Sequence, residues 1–177
     1  GEVLEGDNEV EDTAFFIHSR IHIGAPHAIC VLHTHMPYAT SITLLEDGKL
    51  EMMEQNALLF DGRVAYDDDY EGLALASDEG DRLARKIGNK SILFMASHGV
   101  VVAGPTVADA FNDLYYLERA SMFQVLAKSQ GGKLRTISDR VRQETRAQFV
   151  DEAPKLASRH FSALRRVLDN TEPGYRH

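Results

Sequence analysis

The sequence predicts a water-soluble α/β domain, and three observations carry that reading. Segments with an apolar period near 3.6 alternate along the chain with segments of period two or short continuous apolar runs. Two of those runs, 28–32 and 91–96, are strand-length, too short for membrane helices. The 177 residues are 44% hydrophobic and 26% charged, enough for one domain with a real core.

Taken in order, Gly1-Glu2-Val3-Leu4-Glu5-Gly6 reads as the end of a strand or hairpin. Residues 12–23 carry helical apolar spacing at Phe15, Ile17, Ile21 and Ile23, with Asp12 or Thr13 as cap and Gly24 then Pro26 as stop. Residues 28–35 alternate: Ile29, Val31, His33 and His35 share one parity, and Cys30, Leu32 and Thr34 the other. A short helix is expected over 37–45, a strand within 56–60 and an acidic loop over 66–70. A helix over 77–87, capped by Ser77 or Asp78, closes at Gly88. Strands over 91–96 and 99–103 lie tight against each other. Thr106, with Asp109 three residues on, opens the longest expected helix, to about residue 128, with Val107, Ala110, Phe111, Leu114, Leu117 and Val125 as its buried stripe. Gly131 and Gly132 stop it. Two amphipathic helices follow near 139–150 and 152–168, then a polar tail, 171–177, whose default is disorder.

Composition excludes several functions. The net charge of −8 argues against a nucleic-acid partner, and the one locally positive stretch, 159–166, reads as a solvated helix face. No apolar run approaches the roughly 20 residues of a membrane span, and no leader is visible. The single cysteine, Cys30, excludes an internal disulfide, reads as a buried inert thiol and fits a cytoplasmic location.

His33-Thr34-His35 is the sharpest chemical signal. Two imidazoles two apart on a strand leave on one face, roughly 7 Å apart at the backbone, and ring rotation can converge them on one ion. His98, at the end of an apolar strand and before Gly99, is the best third ligand. Three His ligands leave a fourth position open, the catalytic pattern. The bland reading is two polar residues on a half-exposed strand and one turn histidine. A rival pair, His18 and His22, has helical i,i+4 spacing but lacks the Glu of a zinc helix, since Ser19 follows His18. The alternative role for His18 is to orient a metal ligand through a hydrogen bond. Asp67-Asp68-Asp69 reads as solvated acid before it reads as a cation site. Of Tyr115 and Tyr116, one is expected in the core and one at an interface.

These residues resemble a known family. Ile17-His18, the stretch from Cys30 through His33-Thr34-His35-Met36-Pro37 to Ala39, and Ser97-His98-Gly99 followed by Thr106-Val107-Ala108-Asp109 are similar to class II aldolase/adducin domains. The likeness covers about 11–132 of a single domain spanning 1–177, with 133–177 as C-terminal helices and tail. It implies a three-layer α/β/α fold with a central, largely antiparallel sheet, and one divalent metal at His33, His35 and His98. Zinc is the first expectation, with manganese, cobalt or iron(II) as alternatives. It also implies a small-molecule substrate and a homo-oligomer, a tetramer with sites between subunits, which the tail with Tyr175 and His177 would reach.

The chain departs from the aldolase pattern where Ala14 replaces a proton-transferring Glu. It departs again near Glu54-Gln55-Asn56, which lacks the Tyr expected there, and in the family's N-terminal part, expected to be missing. These departures, with Gly62 to Tyr66 and Asp69 to Gly72, resemble the adducin branch. The expected function is a metal-dependent lyase, by aldol cleavage or decarboxylation through a stabilised enolate. Glu11, Tyr66 and Tyr70 are its candidate proton carriers. The alternative is an adducin-like oligomerising module whose metal site does no turnover.

Overall fold

Four strands form the frame on which everything else rests. In a computed structural model, which describes residues 9–176 together with Val3, Glu5 and Gly6, β1 (Cys30–Thr34), β2 (Val64–Asp67), β3 (Ile92–Met95) and β4 (Gly99–Gly104) join in the order β1-β4-β3-β2. The β1–β4 and β3–β4 pairs are antiparallel, and β2 lies parallel to β3. β3 and β4 are the central strands, buried at every residue, which is why their sequences are continuous apolar runs.

Side-chain alternation divides the core in two. On one face Val31, Leu93, Met95 and Val101 pack against α1 (Asp12–Gly24) and α4 (Ser77–Ile87), through Ile17, Ile21, Leu83 and Ile87. On the other, Ile92, Phe94, Val100 and Val102 meet α2 (Pro37–Thr43), α3 (Gln55–Leu58) and α5 (Val107–Ser129), with α6 (Asp139–Thr171) outside α5. The result is three layers, α/β/α, around a mixed, mostly antiparallel sheet. A 3-10 turn, Pro173–Arg176, ends the described chain, tied back by the Tyr175 hydroxyl to Asp169 (2.7 Å).

Several local expectations need correction. The strand expected within 56–60 is helix α3, because the Glu54 carboxylate accepts the N–H groups of Asn56 (2.8 Å) and Ala57 (2.6 Å) and nucleates a turn. The acidic loop expected over 66–70 begins as strand β2, since Tyr66 packs on Phe94 and Asp67 is neutralised from α4. The cap of α1 is Glu11, while α4 starts after Ala76 with no side-chain cap. Val107 is 56% exposed, outside the stripe that buries Ala110 and Leu117. The two C-terminal helices are one, and at 33 residues α6 is longer than the 23-residue α5. Pro154 lies inside it, where its missing N–H costs one backbone bond. Cys30 is half-buried, and burial pushes its thiol pKa up. The strand or hairpin end expected at 1–6 falls largely, and His177 entirely, outside the described residues.

Leu117 is fully buried between α5 and the sheet. Leu117→Ala is expected to destabilise the protein by about 2–5 kcal/mol, read as a lower urea midpoint with an unchanged slope.

Candidate metal centre

Strand parity brings His33 to the α1/α4 face, the same face as Val31, near the C-terminal end of β1. Its backbone pairs with Val101, and its Nδ1–H donates to the Val100 carbonyl (3.1 Å). That bond fixes the tautomer and leaves Nε2 with a bare lone pair. His35 stands just beyond the strand, its Nε2 3.2 Å from the Nε2 of His33.

His98 arrives from the short connection between β3 and β4. The turn is held by Ala96 N–H donating to the Asp67 carbonyl (2.8 Å), Ser97 N–H to Thr43 (3.0 Å) and His98 N–H to Met95 (3.2 Å). Ser97 takes a left-handed conformation, φ 54°, unusual for a residue with a side chain and of the kind that collects at functional sites. Next to it, Gly99 admits no side chain: a Cβ there would stand 2.6 Å from the Thr34 carbonyl oxygen and 2.7 Å from Cδ2 of His35. The glycine lets the β4 backbone pass close under the His35 ring.

The three rings form a near-equilateral cluster, with centroid separations of 5.0, 4.8 and 4.9 Å. One donor nitrogen from each lies within 4.8 Å of the others, and this is the one such group among the described residues. Zinc–nitrogen bonds of about 2.0–2.1 Å in tetrahedral geometry space the nitrogens by about 3.3 Å. The His33–His35 separation already matches that edge, so the donor set fits a divalent ion of the zinc type.

Electrostatics agree with the geometry. Burial pulls the His33 pKa down to about 4, against the Val100 carbonyl, with His98, His35 and His18 lowering it further. Burial, then the charge of His35, also lowers His98, while the Glu79 carboxylate pulls the other way. Both rings are therefore neutral at neutral pH, as metal ligands must be.

The rival pair on α1 does not form a clamp. His22 bonds the Ala28 carbonyl through Nδ1 (2.6 Å), and only His18 is close enough to act on His33. The proton-carrier candidates separate as well. Glu11 caps α1, its oxygens taken by the Ala14 N–H (2.7 Å) and the Thr13 hydroxyl (2.6 Å). Tyr66 lies on the opposite sheet face, where its hydroxyl accepts the Leu50 N–H (3.0 Å). Tyr70 stands edge-on to His98, ring centroids 6.4 Å apart, and is 54% exposed.

Other carboxylates matter in ways the sequence did not signal. Asp67, expected in a solvated loop, is 1% exposed and bonded to Arg82 (2.6 Å), which also grips Glu79 (2.6 Å). Glu118 on α5 accepts the N–H groups of Tyr38 (3.0 Å) and Ala39 (2.8 Å), pinning α2 directly after His35. In sequence each is an ordinary acidic residue, since its partner lies 15 or 80 positions away.

Residues 1–125 match the family described as the Class II Aldolase and Adducin N-terminal domain. The chain belongs to this family. An aldolase II superfamily protein from Pseudomonas syringae is 32% identical with a TM-score of 0.84, covering 95% of this chain and 66% of its own. Human β-adducin is 31% identical over a 194-position alignment that covers 99% of this chain and 26% of the adducin. L-fuculose 1-phosphate aldolase from Glaciozyma antarctica PI12 shares the fold, with a TM-score of 0.80 at 23% identity, over 96% of this chain and 66% of that one. The chain thus spans about two thirds of these two solved class II aldolase-fold structures and about a quarter of β-adducin. No helix among the described residues is long and apolar enough to cross a membrane.

Two predictions follow from the packing of the rings. Gly99→Ala is expected to displace His35 and weaken zinc binding about tenfold or more, measured by competition with a chromogenic chelator. In metal-free protein, His33 binds its proton near its ordinary 6.5 when unfolded and near 4 when folded. The unfolded state therefore holds more protons in that window, so stability present above pH 6.5 should fall as the pH drops towards 4. His33→Gln should flatten this slope in urea melts taken across the range.

Proposed function

We propose that His33, His35 and His98 hold one divalent ion, zinc in the first instance, in a lyase acting on a small oxygenated or carboxylated substrate. The observation that carries this is the convergence of three imidazole donors, within 4.8 Å of one another, at one end of the sheet. An ion held there would supply Lewis acidity, the chemistry that stabilises negative charge on a substrate oxygen. The chain's part is to keep the imidazoles neutral by burial, to orient His33 through Val100, and to present Tyr70 beside His98. Tyr70 is the proton carrier in this reading, because its side chain is near the cluster while Glu11 and Tyr66 have other engagements. Ala14 offers no carboxylate to deprotonate a hydroxyl, and this favours decarboxylation over aldol cleavage, since loss of CO2 needs no such base.

The protein in this reading is a cytoplasmic homo-oligomer, tetrameric by analogy with the family's aldolases, whose 177-residue chain forms one domain. A second reading, an oligomerising module without turnover, is favoured by Ala14 and by the match to β-adducin. Metal analysis together with a screen of hydroxy-carbonyl and aromatic carboxylate substrates separates the two. The lyase reading expects one metal per chain, turnover abolished by chelation and by His98→Ala, and kcat lowered about 100-fold in Tyr70→Phe with metal content unchanged. Stoichiometric metal with no turnover on any substrate would favour the module, and absence of metal from protein purified without chelator would remove the site altogether.

A further inference from the structure

On the far side of the sheet from the histidines, α6 does not close fully onto α5. The facing residues of α6, Ala153 and Ala157, are small, and Pro154 sits between them. They leave a cleft with two adjoining lobes of about 400 and 270 Å³, sharing Leu59, Asn112, Phe149 and Ala153 as walls. The larger lobe falls in the size range of small-molecule sites, and its body is apolar: Leu59, Tyr116, Phe149, Ala153 and Leu156.

Its polar groups are Gln55, Asn56, Asn112, Arg159 and His160, and they differ in character. Arg159 carries the one fixed charge among the residues lining the larger lobe. Asn112 is 4% exposed and lines both lobes. Its Oδ1 accepts the Nδ1–H of His160 (3.0 Å), and its Nδ2 has no hydrogen-bond partner among the described residues. The Nδ2 group lies at the cleft wall, where it is open to a ligand. His160 is itself held among the rings of Tyr115 (4.8 Å), Tyr116 (5.8 Å) and Phe111 (6.0 Å), which fixes the Oδ1 bond and so the direction of the free amide. A chamber with apolar walls, the side-chain amides of Gln55, Asn56 and Asn112 and one arginine suits an amphiphile with an acceptor and a negative charge.

We propose that this cleft is a second binding site, separate from the histidine cluster, for a small monocarboxylate with an apolar body the size of a phenyl ring or a short alkyl chain. The body fills the space above Ala153 between Tyr116 and Phe149. The carboxylate pairs with Arg159 and accepts from Nδ2 of Asn112. The site does not depend on the lyase reading, since none of its residues touches the histidine cluster.

The test uses the full chain, titrated with benzoate, hexanoate, benzamide and acetate and followed by ligand-observed NMR and calorimetry. Benzoate and hexanoate are expected to bind saturably at one site per chain. Benzamide, lacking the charge, and acetate, lacking the body, should bind about tenfold more weakly or worse. Arg159→Gln, at an exposed side chain, should remove the preference for benzoate over benzamide, and Ala153→Leu should fill the chamber and abolish binding. Should Ala153→Leu fail to fold, the Arg159 variant decides alone. Binding should persist after chelation and in His98→Ala, which separates this site from the proposed active centre. The proposal is overturned if no probe saturates, if benzamide matches benzoate, if Arg159→Gln leaves the preference intact, or if binding vanishes with His98→Ala. It is equally overturned if the cleft proves to be covered by a second copy, seen as an oligomer that Ala153→Arg dissociates.

Discussion

The pairing of β1 with β4 is the constraint on which the candidate metal centre depends. With His33 opposite Val101 and Thr34 opposite Val100, the His33 ring meets the Val100 carbonyl, and the turn carrying His98 is delivered to the same end of the sheet. A register shift of one residue would turn His33 to the α2/α5 face, because strand side chains alternate strictly. The shift is opposed by the whole apolar pattern, since Val31 and Leu32 would exchange core layers with it. Gly99 and the left-handed Ser97 then set how closely the β3–β4 turn approaches. Hydrophobic alternation, spread over four strands, thereby fixes the position of three polar rings that contribute little to the fold.

A framework of buried polar contacts holds the loops around that cluster. Asp67, at the end of β2, gives its carbonyl to Ala96 in the turn and its carboxylate to Arg82 on α4. Gln124 reaches from α5 to the irregular stretch before α3, accepting the Glu51 N–H (2.7 Å) and donating to the Lys49 carbonyl (2.8 Å). Glu118 holds the start of α2. Ionised groups this deep are costly unless every partner is in place, so the network serves specificity of position more than net stability. Its members link α4 and α5, on opposite faces of the sheet, to segments that flank the histidines.

Membership in the class II aldolase and adducin family accounts for the frame but leaves the chemistry divided. The three imidazoles converge at the positions the resemblance implies for a metal, while Ala14 stands where the resemblance implies a carboxylate. The same α1 that carries Ala14 brings His18 close to His33, whose protonation it opposes. In the proposed reading, chemistry would rest on a bound ion's Lewis acidity and on the rim, where Tyr70 stands edge-on to His98. The α5–α6 cleft belongs to a different layer, formed largely by a helix beyond the residues that match the family.

What the sequence determined alone was whatever depends on local period and residue type. The α/β class, the parity that puts His33 with Val31, the short turn before Gly99, the Thr106 cap and the Gly88 stop were all legible, because each is written in neighbouring residues. The candidate triad was legible because two of its members are two residues apart and the third ends an apolar strand. Tertiary structure decided the rest. Whether 56–60 was strand or helix turned on a side-chain cap, and whether Asp67 was solvated turned on Arg82 arriving from another element. Tyr66 faces away from the histidines because it lies within β2 on the Phe94 face, while Tyr70, beyond the end of β2, comes edge-on to His98. The cleft beside Asn112 exists only because α6 lies on α5 with alanines turned inward. Burial, pairing and electrostatic shift are properties of surroundings, and in a folded chain those surroundings come from residues far apart in sequence.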